Sequence, residues 1–278
     1  MRRFLNHFRP RCGVLMETEV WPNLLAGARH NRIPILLANA RLSERSARAY
    51  ARLGHFARQT FACLNQVGAQ TDADAARLRA AGALSVTVTG NIKYEISPPA
   101  SATELGARFR ALIGDRPVLM AASTREGEEA ALLDAFARHA PRNALLLLVP
   151  RHPQRFDEVA ALVASRGLSL QRRSDEARVQ HATRVWLGDS MGEMFAYYTV
   201  ADVAIIGGSW EPLGGQSIIE ACACGVPAIV GPHTFNFTQA CALAIEAGAA
   251  LRCKDLDEAV REASALLASA ERRGTMGT

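Results

Sequence analysis

Short apolar runs recur along this chain, each too brief to be a helix and each separated from the next by an alanine-rich amphipathic stretch. They are "VLM" (14–16), "IPILLANA" (33–40), "VTVTG" (86–90), "PVLMAAS" (117–123), "ALLLLVP" (144–150), "RVWLGD" (184–189), "DVAIIGG" (202–208) and "PAIVGP" (227–232). Their length and their Val, Ile and Leu content predict parallel strands buried on both faces. The intervening segments, such as "TDADAARLRAAGA" and "TREGEEAALLDAFARHA", carry helical periodicity. Strand and helix therefore alternate, which predicts the α/β class.

With 278 residues, 49% of them hydrophobic, the chain has enough apolar side chains for two domain cores. The segment 95–117, "EISPPASATELGARFRALIGDRP", has no strand signal and opens on two prolines. It divides the chain into an expected first domain (1–96), a linker (97–116) and a second domain (117–278). No apolar run reaches the roughly 18 residues of a membrane span. The opening "MRRFLNHFRPR" lacks the apolar core of a signal peptide, so a location on the cytosolic side is expected. The six cysteines form no CxxC pair and are expected to be reduced and mostly buried.

The net charge of +5 is almost wholly arginine, since Lys93 and Lys254 are the only lysines. Arginines gather at Arg2, Arg3, Arg9 and Arg11, and again at Arg41, Arg45, Arg48, Arg52 and Arg58. They lack interleaved stacking aromatics and any nucleic-acid module, which argues against nucleic acid and for an anionic substrate or membrane surface.

In an open α/β sheet, ligands bind beyond the carboxyl ends of the strands. Four such ends are chemically loaded. After "LLLLV", Pro150 and Pro153 stiffen a loop that displays Arg151 and His152, and a guanidinium there suits a phosphate or carboxylate. After "VWL", Ser190 and Glu193 have capping-box spacing, predicting a helix start whose Met191, Gly192 and Glu193 amides could hold an anion. After "VAII", Gly207, Gly208, Gly214 and Gly215 leave bare backbone for a phosphate-bearing ligand. Glu220, near the start of the next helix, could accept both hydroxyls of a ribose. After "VLM", Glu17 and Glu19 stand two apart on a segment read as extended, hence on one face, and Pro22 opens a helix. The acids of "DAD" (72–74) follow Thr71 at a helix start, so dipole capping explains them and no metal is expected.

The stretches "METEVWPN", "ANARLSERSARAYARLG", "VTGNIKYEI", "AASTREGEE", "VPRHPQRF", "GDSMGEM", "GGSWEPLGGQSIIEA" and "GPHTFNF" resemble, in order, those of the 3-deoxy-D-manno-octulosonic acid (Kdo) transferases. That resemblance implies a GT-B glycosyltransferase with two Rossmann-like domains facing a cleft. It implies metal-independent, inverting transfer of Kdo from CMP-Kdo to a lipid A precursor, lipid IVA, in lipopolysaccharide core biosynthesis. The implied location is peripheral, at the cytoplasmic face of the bacterial inner membrane, with CMP-Kdo as donor substrate and no cofactor. On the matching positions, Pro150, Arg151, Met191, Gly192, Glu193, Ser217, Ile218, Ile219 and Glu220 would bind CMP. Gly214 and Gly215 would cradle phosphate and sugar, while Glu17 and Lys93 would assist the transition state.

The chain departs from the family at Gln216 and Ser217, where "GGHN" is frequent. No counterpart of the family's N-terminal anchor and catalytic glutamate precedes Met1, so the first domain is expected to be incomplete, opening on a strand that belongs in mid-sheet. The usual closing helices are likewise expected to be missing. Two other readings stay open: a catalytically incomplete CMP-sugar-binding fragment, and another nucleotide-sugar transferase of the same fold.

Overall fold

The computed structural model of the protein describes residues 2–277, the side chain of Arg2 in the basic N-terminal cluster excepted. The chain forms two compact units, Met1–Glu95 and Ile96–Thr278.

The first unit is a four-stranded parallel sheet in the order β1 (Gly13–Met16), β2 (Ile35–Ala40), β3 (Gln66–Ala69) and β4 (Val86–Val88). Helices Pro22–His30, His55–Phe61 and Asp72–Ala81 bury Leu25, Ala28, Phe61, Ala75 and Leu78 against one face, where Ile35, Leu37 and Val67 meet them. Successive side chains of a strand point to opposite faces. Val14, Met16, Leu36 and Val88 are accordingly exposed. The strands of this unit are thus not buried on both faces, and β1 stands at the sheet's edge among the described residues. β3, "QVGA", escapes sequence reading because it has one branched residue; Gly68 packs closely there, since an added Cβ would lie 3.0 Å from Thr89 Oγ1.

Asp74 ties this unit together. Thr71 caps its helix, accepting from Asp74 N at 3.0 Å, and the buried Asp74 carboxylate accepts from Leu42 N at 2.9 Å, Thr71 Oγ1 at 2.6 Å and Arg77 at 2.9 Å. Burial alone would raise the carboxyl's pKa, but the bonds from Thr71, Leu42 and Arg77 outweigh it and hold the pKa below its ordinary value. A carboxyl depressed in the folded state contributes stability above its unfolded pKa and loses it as pH falls through the folded value. Asp74→Asn should cost about 1–2 kcal/mol at pH 7, with the deficit shrinking in acid below the ordinary range near pH ~4. Urea unfolding of both proteins at neutral and acid pH measures this, and a deficit independent of pH would contradict it.

The second unit carries a seven-stranded, all-parallel sheet. Its strands are β5 (Val118–Thr124), β6 (Leu145–Pro150), β7 (Leu170–Arg172), β8 (Val185–Leu187), β9 (Val203–Ile206), β10 (Ala228–Val230) and β11 (Ala250–Arg252), in the order β11-β10-β9-β5-β6-β8-β7. Alternation divides β5 between two cores. Val118, Met120 and Ala122 join Phe109, Trp186 and Tyr197 on one face, while Leu119 and Ala121 join Leu132, Val163 and Val260 on the other. Here the buried-strand expectation is met. β7 and β11 are short, half-covered edge strands that carry no apolar run to read.

Of the segment expected to be a linker, residues 100–113 form the helix Ala100–Ile113, which places Phe109 and Ile113 in the second unit's core. Gly106 lets this helix close on its neighbour, as a Cβ there would fall 1.9 Å from Thr199 Oγ1. Helices Leu256–Leu267 and Ala270–Met276 end the described chain. All six cysteines are free, but only Cys241 and Cys253 are buried; Cys12 and Cys222 are exposed. Among the described residues no helix is long and apolar enough to cross a membrane.

Candidate functional site

The second sheet winds outward from β5 in both directions, to β6, β8 and β7 on one side and to β9, β10 and β11 on the other. The strand order therefore reverses between β5 and β9, and a crevice opens at such a point beyond the carboxyl ends. Three of the loops there, after β6, β8 and β9, hold the second-unit residues that the sequence points to.

Two adjacent glutamates at the start of helix Glu128–His139 brace this end of the sheet from both sides of β5. The Glu128 carboxylate, 2% exposed as a residue, accepts from Gly208 N at 2.9 Å, Trp210 N at 3.2 Å and Arg125 N at 2.8 Å. Burial raises its pKa, with the three amide bonds opposing and the charge of Glu129 adding to the rise. Glu129 reaches the other way, to Arg155 in the loop after β6, through bonds of 2.7 and 3.3 Å. Both side chains of that pair are almost fully covered, so removing Arg155 would strand the Glu129 charge, whereas Arg155 also has Glu158 at 2.9 Å. Sequence reading places Glu128 and Glu129 on a helix face and misses this function. Two acids in the first turn after a fully buried strand are the signal that could have found it.

Pro150, the last residue of β6, pairs with Thr124 in the ladder, and in the loop that follows Arg151 N donates to Thr124 O at 3.0 Å. The Arg151 guanidinium is exposed and has no side-chain partner among the described residues. In the loop after β8, the expected capping box does not form. Helix Met194–Tyr198 begins after Glu193 without a side-chain cap, because the Glu193 carboxylate is taken by Arg173 at 2.8 and 3.0 Å and by the Ser190 hydroxyl. Met191 is exposed, and Gly192 has φ +79° with open space around it.

The loop after β9 folds back on itself through Gly215 N to Gly208 O at 2.6 Å and Gln216 N to Gly207 O at 3.0 Å. Its glycines answer first to the protein. A Cβ on Gly207 would lie 2.5 Å from Ser123 O, and one on Gly214, at φ +94°, would lie 2.2 Å from Asn236 Nδ2. Packing within the protein thus already requires glycine at these two positions. Ile218 is buried, and the half-buried Ile219 packs against the core. Ser217 Oγ accepts from Ile219 N at 3.3 Å. Glu220 sits in the first turn of helix Ile219–Ala223, and its Oε2 is buried without a hydrogen-bond partner.

In the first unit, the segment after β1 is a turn rather than an extended stretch, and Glu17 has φ +53°. Glu17 and Glu19 consequently do not share a face. Glu19 accepts from Trp21 Nε1 at 2.7 Å, while Glu17 stands between Lys93 Nζ at 3.2 Å and Arg41 Nε at 3.4 Å. Lys93 and Glu17 are thereby brought together, with Arg41 as a third member. Asn39, buried at φ +51°, accepts from Ile92 N at 3.2 Å and so fixes the start of the turn that carries Lys93. A groove of about 440 Å³ between helices Pro22–His30 and His55–Phe61 contains none of these residues.

Parallel sheets with candidate ligand groups gathered at the carboxyl ends define a GT-B-like glycosyltransferase fold. A UDP-GlcNAc 2-epimerase from Neisseria meningitidis shares that fold, with a TM-score of 0.63 over 100% of this chain and 73% of its own at 17% identity. The crystallised C-terminal CMP-Kdo binding domain of WaaA from Acinetobacter baumannii is 34% identical, with a TM-score of 0.61 over 64% of this chain and 95% of its own. The family profile described as 3-deoxy-D-manno-octulosonic-acid transferase (kdotransferase) matches residues 1–96, and that of the glycosyl transferases group 1 matches 143–278. The 3-deoxy-D-manno-octulosonic acid transferase of Bordetella pertussis is 50% identical over 99% of this chain, and that of Haemophilus influenzae 36% over 100%. The chain belongs to the Kdo transferase family. It spans 65 and 66% of the length of these two relatives.

Proposed function

We propose that this chain serves the transfer of Kdo from CMP-Kdo to a lipid A precursor, lipid IVA, with inversion at the anomeric carbon. An acceptor hydroxyl oxygen forms the new bond to that carbon, the bond from carbon to phosphate oxygen breaks, its electron pair leaves with CMP, and the hydroxyl proton passes to a base. The observation that carries the donor assignment is the buried, unpartnered Oε2 of Glu220 behind the glycine loop. A carboxylate so placed is complementary to ribose hydroxyls, which donate to it. Arg151 faces the phosphate, and the backbone at Met191–Glu193 and at Gly214–Ser217 supplies further contacts; Glu193 acts through its backbone, since Arg173 occupies its carboxylate.

In the first unit, Lys93 offsets the donor's negative charge as the bond to CMP breaks, and Glu17 holds Lys93 in place. The site lies at the cytoplasmic face of the inner membrane. Supporting that location, Arg3, Arg9 and Arg11 share the opening segment with exposed Phe4 and Phe8, a combination suited to an anionic bilayer surface.

A second reading, a CMP-sugar-binding piece without turnover, is favoured by one observation. Glu17 is already held between two cations, which leaves the proton acceptor unassigned. Incubating the chain with CMP-Kdo and tetraacylated lipid A precursor, with mass spectrometry of the lipid, separates the two. Transfer adds one or more Kdo masses to the lipid and releases CMP. An unchanged lipid in the presence of bound CMP would leave only the second reading.

A further inference from the structure

We propose that Thr124 and Arg125 form a subsite for the carboxylate of the donor's sugar, next to the phosphate held at Arg151. This rests on the transferase reading above and deepens it, because nothing in that reading recognises the sugar as an acid.

Three observations converge at the end of the central strand. Thr124 is 3% exposed, and its Oγ1 has no hydrogen-bond partner. A hydroxyl withdrawn from water and left unpaired is costly, and it is one of the places where a bound polar group is to be sought. Glu220 Oε2 is the other such atom among the described residues. Both stand at the carboxyl end of the second sheet.

The second observation is a pair of free cations carried by the residues that adjoin Thr124 in chain and ladder. Arg125 follows Thr124 in the chain, and Arg151 follows the Pro150 that pairs with Thr124. The two arginines thus leave neighbouring strands at the same level. Neither guanidinium has a side-chain partner among the described residues.

The third observation explains why the nearby acids do not neutralise them. Glu128 spends its carboxylate on three backbone amides, and Glu129 takes Arg155. Glu211 lies against Gly127 and forms no ion pair with either arginine. The braced acids leave two guanidinium groups available for anions from outside. A CMP-linked sugar acid brings two: the phosphodiester and the sugar carboxylate. Arginine matches a planar carboxylate through paired N–H donors, and a buried hydroxyl can donate to one of its oxygens.

Calorimetric titration of the whole chain with CMP, which lacks the carboxylate, and with freshly prepared CMP-Kdo, which has it, tests the subsite. Thr124→Val and Arg125→Gln should each weaken CMP-Kdo by about 10-fold or more and leave CMP within about 2-fold, while Thr124→Ser retains the affinity for both. The unaltered CMP binding also reports that each variant is folded. Equal losses for the two ligands, or no loss for either, would overturn the carboxylate assignment while leaving the transferase reading intact. A parent chain that binds neither ligand overturns that reading, and this proposal with it.

Discussion

Glu220→Ala should lower the affinity for CMP by roughly 2 to 4 kcal/mol, or about 30- to 1,000-fold. Two ribose hydroxyls would donate to a carboxylate already shielded from water at Oε2, so both bonds form in a setting where water competes weakly. In the free protein that oxygen has no partner to lose on binding, and the gain is not offset by a broken internal bond. Calorimetry on parent and variant measures the change. Affinity within a few-fold of the parent would remove Glu220 from the ribose. The substitution should leave folding intact, because none of the protein's own hydrogen bonds depends on this carboxylate.

Glu17→Gln and Lys93→Ala should each lower the rate of Kdo transfer by on the order of 100- to 1,000-fold, while CMP affinity changes little. The ammonium of Lys93 acts on charge that grows as the anomeric bond to phosphate breaks, and stabilisation made only in the transition state appears in turnover. Glu17 lies 3.2 Å from Lys93 Nζ and 3.4 Å from Arg41 Nε, and its neutral amide would leave two cations without their common partner. Because the pair acts as a unit, the double variant should be no slower than the worse single one. Steady-state rates with CMP-Kdo and the lipid acceptor decide this. Rates near the parent's combined with collapsed donor affinity would make these residues binding groups instead.

Much of the architecture can be read from the residues because fully buried parallel strands are apolar without interruption. "PVLMAAS", "ALLLLVP" and "DVAIIGG" are plain for that reason, and they are the three central strands of the second sheet. "QVGA" and "LQR" are hidden because a short or half-exposed strand needs few branched residues. The candidate site divides along a similar line. Loops after strand ends are legible as positions, which is how Arg151, the Gly214–Glu220 loop and Lys93 were singled out. What their side chains do depends on partners far away in sequence. Ser190 and Glu193 have capping-box spacing, yet Arg173 takes the carboxylate; Glu17 and Glu19 are two apart, yet a turn at Glu17 separates them. The bracing glutamates are legible only as two acids in a helix's first turn after a buried strand, since Glu128 meets Gly208 and Trp210 only after the sheet has assembled.

The central claim is that the carboxyl end of the second sheet is a nucleotide site with Glu220 at the ribose. A crystal structure of the chain with CMP tests it most directly. The account predicts nucleotide at the loops after β6, β8 and β9, with both ribose hydroxyls within hydrogen-bond distance of the Glu220 carboxylate and the phosphate at Arg151. Nucleotide bound elsewhere on the chain, or at these loops with its ribose turned away from Glu220, would contradict it.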